Sequence, residues 1–347
     1  MTEIQSLILC WFEENHRKLP WRQTKDPYFI WLSEVILQQT RVAQGTNYYF
    51  KFIKNYPTIT HLAKASEQEV LSDWQGLGYY SRARNLHASA KYINENLNGI
   101  FPKSYDEIIK LKGIGEYTAA AISSFAFNEA RAVVDGNVYR VLSRLFDIDT
   151  PIDTNDGKKL FQKIANELLN VKNPGLHNQA MMEFGALQCI PSNPDCSICP
   201  LVMYCNSNRN NSISERPVKQ SKTKIRNRYF LYFVDLNNQK IILRKKTEKD
   251  IWQNLYEFPK KEFESKRELQ NYISENKYEF NHIIEYSKHI LSHQHLHATF
   301  AFVWNSQTSN KFVDTITINW IELDQYPIPR LIDRFIQEHP QLFQTHT

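Results

Sequence analysis

The residues that point most directly to chemistry are four cysteines in one short, proline-rich loop. They are spaced Cys-x6-Cys-x2-Cys-x5-Cys, at Cys189, Cys196, Cys199 and Cys205. Because disulfides are not expected in a reducing compartment, the set is predicted to bind metal. Four thiolates so close together can wrap one iron–sulfur cluster, whereas zinc sites usually separate two Cys-x2-Cys pairs by a longer insert. The fifth cysteine, Cys10, lies in an apolar helical stretch and is predicted to be a buried thiol.

A glycine-containing turn lies between two predicted helices, Tyr105–Lys110 and Glu116–Phe127. Gly113 and Gly115 permit backbone angles that are closed to other residues. The turn and the start of the second helix can therefore aim several N–H groups at one anion, for which a DNA phosphate is the obvious candidate. The pattern predicts a helix-hairpin-helix; an ordinary helix-to-helix turn is the alternative.

Two carboxylates are candidates for catalysis. Asp135 follows apolar residues and precedes a flexible glycine in the run Val133–Val138, so it is either a helix cap or a catalytic carboxylate. Glu34 lies on a predicted helix that opens at Asp26-Pro27, away from its apolar stripe. Most helical glutamates at such positions are simply exposed.

Length and composition restrict the class of protein. The 347 residues favour one large domain and a smaller one, and the apolar fraction of 42% supports packed cores. No stretch approaches the ~18 continuous apolar residues that span a bilayer. Glu3 stands where a signal peptide would be basic, so a cytoplasmic, nucleoid-associated protein is expected. The formal charge of +5 is compatible with nucleic-acid binding.

Periodicity divides the chain into three parts. Residues 1–206 are predicted to form an all-α domain, residues 207–227 a polar, lysine-rich linker, and residues 228–347 an α+β domain. Alternation over Tyr229–Asp235 and Lys240–Arg244 predicts a β-hairpin. Further strands are predicted over residues 298–304 and 315–321, with helices over residues 266–275 and 328–338.

Several of these motifs together resemble the adenine DNA glycosylases of the helix-hairpin-helix, endonuclease III superfamily. The resemblance rests on Trp31–Arg41, which contains S-E-V-I-L-Q-Q-T, on Trp74–His87, on the hairpin followed by V-D-G-N, and on the cysteine spacing. It is highly specific through Cys205 and weaker after Arg228. It implies a bacterial base excision repair enzyme that flips a nucleotide out of double-stranded DNA. It also implies a [4Fe-4S] cluster, whose loop presents cations such as Arg209 to DNA.

The same resemblance assigns roles to the site residues. Glu34 matches the general acid, and Asp135 matches the nucleophile or electrostatic partner at the sugar, oriented together with water by Asn137. Bifunctional relatives carry a lysine in G-x-G-x-K, and here that position is Tyr117, which cannot form an imine. A monofunctional glycosylase that leaves an abasic site is therefore expected. The adenine pocket is expected to be closed by Trp21, Arg22, Leu37, Val42 and Glu183.

Lesion recognition is expected from further matched residues. Gln39 and Tyr79 match residues at the lesion side of the opened duplex, and Gly113 with Gly115 match the turn that grips the DNA backbone. The segment Ile251–Pro259 resembles the start of a Nudix domain, and the family's C-terminal domain recognises 8-oxoguanine opposite adenine. The expected partner is thus DNA with adenine opposite 8-oxoguanine or guanine, bound by a monomer.

One loop of the C-terminal domain is expected to read the lesion. Leu291, Ser292 and His293 align with a Phe-Ser-His loop in which the serine and histidine hydrogen-bond the oxidised purine. Leu291 replaces the aromatic residue, which puts any aromatic packing there in doubt. Because His293, His295 and His297 would share one face of a strand, a metal site is a competing interpretation, and three solvated imidazoles are another.

Two other classes of function compete with this assignment. A non-enzymatic DNA-binding protein could use the hairpin and cluster as a scaffold, but it would be expected to lack Glu34 or Asp135. A Nudix hydrolase with a DNA-binding extension is disfavoured, because the residues after Pro259 lack the glycines and the carboxylate motif that hold Mg²⁺.

Overall fold

The computed structural model describes residues 2–220, 225–303 and 312–344. The chain folds into two compact units, Met1–Lys64 with Asn85–Ser221, and Ala65–Arg84 with Lys222–Thr347. The sequence-based domain 1–206 differs from this grouping at Ala65–Arg84. The boundaries of the folding units themselves remain a prediction.

The first unit is helical, as the periodicity predicts. The helices that carry the predicted site residues are α2 and α8, which pack together, and α9, which packs on α11. No helix in the described part of the chain is long and apolar enough to cross a membrane. The helices up to the cysteine loop and just after it are α1 (Glu3–Asn15), α2 (Pro27–Leu37), α3 (Val42–Asn55), α4 (Ile59–Lys64), α5 (Glu67–Asp73), α6 (Ser81–Asn96), α7 (Tyr105–Ile108), α8 (Glu116–Phe127), α9 (Gly136–Phe146), α10 (Asn155–Leu168), α11 (Pro174–Leu187) and α12 (Asn206–Arg209). Of these, α5 and the first residues of α6 belong to the second unit.

Local sequence sets where these helices begin. The Asp26 side chain accepts from the Tyr28 N–H (2.8 Å) and Pro27 occupies the first turn, so α2 begins where the Asp-Pro pair predicts. Helix α8 has the predicted bounds, and its three consecutive alanines, residues 119–121, are buried. Small side chains there allow close packing between α8 and α2.

The core of the first unit explains one wrong prediction. Ile8 and Phe12 face a cluster that also includes Leu142 and Phe184. Cys10 lies between them in α1 on the opposite side and is exposed. The prediction of a buried thiol is therefore wrong, because residues i and i+4 share a helix face whereas residue i+2 does not.

The second unit contains two sheets. In the first, β1 pairs antiparallel with β5 and parallel with β8, which also pairs with β6 and β7. In the second, β3 pairs with β2, β4 and β9. The strands are β1 (Arg226–Val234), β2 (Leu236–Asn237), β3 (Lys240–Lys245), β4 (Tyr256–Glu257), β5 (Lys260–Phe263), β6 (Phe280–Glu285), β7 (His289–Ile290), β8 (Gln294–Val303) and β9 (Thr315–Asn319).

The predicted hairpin between β1 and β3 is wrong in its pairing. Both strands exist, but the chain passes from one sheet to the other after Val234, and only the short β2 pairs with β3. The predicted helix over residues 266–275 is present as α13 (Lys266–Glu275), and the next is α14 (Arg330–Glu338). An apolar core lies between these elements, in which Phe300 stacks on Phe335 with ring centroids 3.6 Å apart.

Candidate active site

One cavity of about 320 Å³ brings together every residue predicted for catalysis and for the adenine pocket. Its walls come from the 3₁₀ turn Pro20–Arg22, from α2 and α3, from the start of α8, from the start of α9 and from α11. The predicted residues on these walls are Trp21, Arg22, Glu34, Leu37, Val42, Tyr117, Asp135, Asn137 and Glu183.

The carboxyl group of Glu34 is buried in this cavity, with the residue 8% exposed. The Tyr117 O–H donates to its Oε2 (2.8 Å). Burial raises the pKa of Glu34 to about 7, and nearby Asp135 adds to this rise, while the Tyr117 hydrogen bond and Arg22 oppose it. At neutral pH a large fraction of Glu34 therefore carries the proton that a general acid must deliver.

Asp135 caps α9 and lies in the same cavity. Its Oδ1 accepts from the Val138 N–H (2.8 Å), and its Oδ2 accepts from the Asn137 amide (2.8 Å). Burial raises the pKa of Asp135, whereas these hydrogen bonds and Arg140 act against the rise. These hydrogen bonds favour the ionised form of Asp135, although burial remains the largest influence on its pKa, as it is for Glu34. The cap and the catalytic interpretation of Asp135 are thus compatible.

A chain of hydrogen bonds continues from Asp135 to the cysteine loop. Asn137 Oδ1 accepts from Arg140 Nη2 (2.9 Å), and Arg140 Nε donates to the Cys189 carbonyl (2.7 Å). Arg144, one turn later on α9, donates to Cys189 Sγ (3.5 Å) and to the Ile190 carbonyl (2.7 Å). The cysteine loop and the Asp135 carboxylate are therefore anchored to the same face of α9.

Glu183 on α11 is held by two arginines at the end of the cavity. Arg17 donates from Nε to Oε1 (2.8 Å) and from Nη2 to Oε2 (2.6 Å), and Arg22 donates to Oε2 (2.8 Å). Although burial alone would raise its pKa, these hydrogen bonds lower the pKa of Glu183 to about 2. Glu183 is thus an ionised acceptor and not an acid catalyst.

Arg17 was not among the predicted site residues. Its only signal in the sequence is a second arginine close to Arg22, and nothing local indicates a partner so far along the chain. The apolar part of the cavity is better predicted: Trp21 is buried and packs edge-on against Tyr49, with centroids 5.4 Å apart. Leu37 and Val42 extend this wall.

The two hairpin glycines have different roles. Gly113 has φ +80°, and a Cβ there would lie 2.5 Å from Asn85 Cβ, so both backbone angle and space require glycine. Gly115 has φ −98° and open space around it, so the prediction that its angles are closed to other residues is wrong. Gly115 precedes α8 without a side-chain cap, which leaves the first N–H groups of the helix open to an anion.

Gln39 and Tyr79, predicted for the lesion side, share a backbone feature. Both are exposed, and both have left-handed φ values, +55° for Gln39 and +47° for Tyr79. In the Tyr79 turn, the Arg82 guanidinium lies over the Tyr79 ring at 5.7 Å, and Trp74 Nε1 donates to the Gly78 carbonyl (3.0 Å). Such angles are costly for residues other than glycine and are found at functional sites.

The four cysteines line one small cavity of about 30 Å³. Only thiols among its lining residues are strong metal ligands, apart from the Asp195 carboxylate, which accepts from Ser197. In the described part of the chain, no three His, Cys, Asp or Glu side chains are grouped so as to hold a single metal ion. A zinc ion requires all its sulfur ligands at about 2.3 Å, whereas a cluster distributes its thiolates over several irons. Four thiols around one cavity are a donor set that an iron–sulfur cluster takes.

The predicted lesion-reading loop is the turn between β7 and β8. Ser292 and His293 are exposed, and Ser292 Oγ lies 3.1 Å from His293 Nδ1. Leu291 packs against the core of its unit and donates its N–H to the Gln294 carbonyl (2.8 Å), so it anchors the turn. His297 stacks on Tyr229 at 4.7 Å, which supports the interpretation of a packed imidazole over that of a metal ligand.

Comparisons with known proteins agree with this geometry. Residues 32–170 match the model of the HhH-GPD superfamily base excision DNA repair proteins, and residues 231–338 match a NUDIX domain. The adenine DNA glycosylase of Buchnera aphidicola subsp. Baizongia pistaciae is 40% identical over 291 residues, covering 82% of each chain. That of the Schizaphis graminum subspecies is 36% identical over 317 residues, covering 88% of this chain and 90% of the relative.

A relative from another organism and two solved structures are also similar to this chain. The adenine DNA glycosylase of Homo sapiens is 42% identical over 217 residues, covering 60% of this chain and 40% of the relative. A thermostable thymine-DNA glycosylase matches with a TM-score of 0.56 and 29% identity, over 60% of this chain and 95% of its own. An endonuclease III–DNA complex shares the fold, with a TM-score of 0.52, 23% identity and coverage of 60% and 94%. The chain belongs to the adenine DNA glycosylases, hydrolases of the HhH-GPD superfamily of base excision repair.

Proposed function

We propose that this glycosylase excises adenine paired with 8-oxoguanine or guanine, as a monomer, and leaves an abasic site. The observation that carries the proposal is the pair of carboxyls in one cavity. Glu34 is buried with a pKa of about 7, and Asp135 is stabilised in its ionised form by hydrogen bonds. These are the two groups that hydrolysis of a glycosidic bond requires.

Each carboxyl has a defined task in the reaction. The adenine must first be flipped out of the duplex to reach the cavity. As the bond between the sugar carbon and the purine breaks, its electron pair goes to the base, and Glu34 donates its proton to a ring nitrogen. Asp135 stabilises the positive charge that develops on the sugar. Water then adds to the sugar carbon, and its proton passes to the Glu34 carboxylate, which restores the acid.

The polar end of the cavity can select the base. Glu183 is fixed as an acceptor by Arg17 and Arg22, and a carboxylate acceptor suits the amino group that distinguishes adenine from purines carrying a carbonyl there. Trp21 and Leu37 supply the apolar surface on which a flat ring can pack. A base without that amino group would leave the buried Glu183 carboxylate without a donor, and this cost would exclude it from the cavity.

No lyase step is expected, because no lysine amine among the described residues is placed to attack the sugar. Tyr117 occupies the hairpin position of the Schiff-base lysine, and its O–H donates to Glu34. The residues that line the catalytic cavity, within the described ranges, include no lysine. A phenol cannot form an imine with the sugar, so cleavage of the strand requires added alkali.

The remaining assignments concern the cluster and the lesion. We infer that Cys189, Cys196, Cys199 and Cys205 hold a [4Fe-4S] cluster, which would fix the fold of its loop and supply no electrons to the hydrolysis. Ser292 and His293, exposed at the tip of the β7–β8 turn, would hydrogen-bond the base opposite adenine. The uncapped start of α8 would bind a DNA phosphate.

A single-turnover assay tests the reaction. Cluster-loaded enzyme is mixed in excess with a duplex that carries adenine opposite 8-oxoguanine, and strand breaks are scored with and without alkali. We expect breaks only after alkali, their loss in Glu34→Gln and Asp135→Asn, and retention in Glu14→Gln, which alters an exposed carboxylate on α1 that lines neither cavity. Breaks without alkali, or an adduct trapped by borohydride, would refute the monofunctional reaction. No adenine release would refute the substrate assignment.

A further inference from the structure

A second cavity in the first unit, of about 1000 Å³, lies beside the catalytic cavity. We call it the α10 groove, because exposed residues of α10 form one wall, from Asn155 to Glu167. The start of α8 forms another wall, and Tyr139 of α9 lies between them. Tyr117 lines both this groove and the catalytic cavity, so it is their common wall.

The charges of the groove are unequal. Four cations line it, Arg131, Lys158, Lys159 and Lys163, against the two carboxylates Glu116 and Glu167. Lys163 lies 3.9 Å from Glu167, and Arg131 pairs with Glu129 (3.1 Å) and Asp106 (3.7 Å). These contacts leave two lysines, Lys158 and Lys159, against one carboxylate, Glu116, so the remaining charge of the groove is positive.

Neither of these two lysines has an ion pair within residues 2–220, 225–303 and 312–344. Both are exposed on one face of α10, with the amides of Gln162 and Asn166 further along the same wall. Tyr105 and Tyr139 add aromatic surface to the groove. Lysines, amides and tyrosines together are the side chains that proteins use to contact phosphate and sugar.

We propose that the α10 groove binds the backbone of the DNA strand that carries the flipped adenine, through its phosphates next to that nucleotide. The proposal rests on the proposed function, because it presupposes a nucleotide in the catalytic cavity. A nucleotide that enters that cavity remains bonded to its strand, and the strand must leave past the mouth of the cavity. Tyr117 is shared by the two spaces, so a strand that leaves on this side enters the groove.

The continuity of the two cavities distinguishes this ligand from an acidic peptide. A peptide would need only the charge of α10, whereas a strand needs charge, a path to the catalytic cavity and room for sugars. The groove offers all three. Along α10, Lys158 and Lys163 are separated by about 7 Å at 1.5 Å per residue. Successive phosphates of one strand lie about twice the axial rise of 3.4 Å apart, so this stretch of the wall suits two successive phosphates.

The salt dependence of binding measures such contacts. We compare the wild type with Lys158→Ala/Lys159→Ala on a duplex that carries a stable abasic-site analogue opposite 8-oxoguanine. Each lost phosphate contact lowers the slope of log K against log salt by about 0.9, so a decrease of about 1 to 2 is expected. The control Lys64→Ala/Lys91→Ala removes two exposed lysines that line neither cavity, and it should keep the wild-type slope.

Methylphosphonate substitution identifies the strand. Neutralising single phosphates beside the analogue should weaken binding of the duplex by the wild type. The same substitutions should leave the affinity of the Lys158→Ala/Lys159→Ala variant unchanged. The same substitutions on the opposite strand should weaken both proteins equally. Equal slopes for the two double variants, or coupling to the opposite strand, would overturn the proposal. Excision of adenine by the wild type, measured in parallel, tests the proposed function by itself and separates its failure from that of the groove.

Discussion

Replacing the buried acid in Glu34→Gln is expected to stabilise the folded protein at and above neutral pH while abolishing excision. In the folded state the Glu34 carboxyl titrates at about 7, against an ordinary value of 4.5. Between these values the unfolded chain has released the proton and the folded protein has not. Stability therefore falls as the pH rises through this window, and the loss is complete above pH 7.

The size of the effect follows from the two pKa values. At about 1.4 kcal/mol per pKa unit, the wild type above pH 7 is less stable by about 3 kcal/mol than a protein with a neutral group at this position. Glutamine has almost the same shape as glutamate, carries no charge, and its carbonyl can still accept from Tyr117. The gain should be greatest at pH 8 and should vanish well below pH 4.5, where both side chains are neutral in both states.

Urea unfolding followed by circular dichroism at 222 nm measures this difference, because the catalytic unit is helical. The cluster-loaded wild type and variant are compared at intervals from pH 5 to pH 8. Glu14→Gln, which alters an exposed carboxylate on α1, is the matched control and should show no pH-dependent difference. A constant difference between wild type and Glu34→Gln at all pH values, or a variant that is less stable at pH 8, would refute the assignment of Glu34 as a buried acid.

Three further predictions concern the same site. The single-turnover rate should be flat where Glu34 is protonated and Asp135 is ionised, fall at lower pH as Asp135 gains a proton, and fall about tenfold per unit above pH 7 as Glu34 loses its proton; a rate that rises above pH 7 would contradict a general acid. Gly113→Ala should cost about 1–3 kcal/mol of stability in thermal unfolding, because of its φ of +80° and the contact with Asn85, whereas Gly115→Ala should leave stability unchanged and weaken only DNA binding. Arg140→Lys should lower the single-turnover rate by roughly 10- to 100-fold with normal iron content, because lysine cannot bridge Asn137 and Cys189; an unchanged rate would show that the bridge is dispensable.

The family resemblance of short local motifs predicts the residues that line this cavity, whereas local patterns alone predict fewer of them. Capping chemistry places Asp135 at the start of α9, but periodicity puts Glu34 away from the apolar stripe of α2, and its burial was not predicted by that pattern. Arg17 was missed because its partner Glu183 is distant in the chain and is reached only through tertiary packing. Local patterns specify elements, whereas ion pairs between elements depend on the assembled fold.

The errors in the second unit have the same physical origin. Alternation identifies β1 and β3 correctly, but it does not say which strands pair, and β1 pairs with β5 and β8 instead. The grouping of Ala65–Arg84 with the C-terminal residues has no compositional signal. Within that unit, Tyr80 donates to the Ile328 carbonyl (3.2 Å) and Arg84 donates to the Gln253 carbonyl (2.7 Å). Such contacts join segments that nothing in the local sequence relates.

The left-handed backbone at Gln39 and Tyr79 has a consequence for anyone who tries to make this enzyme sturdier. A glycine at either position would relieve on the order of 1 kcal/mol of strain. Screens that select only for resistance to heat would therefore favour glycine there and remove two exposed side chains that we expect to contact the damaged duplex. In such a library, variants at these two positions would gain thermostability and lose repair activity together. Selection for stability should therefore be paired with selection for repair activity.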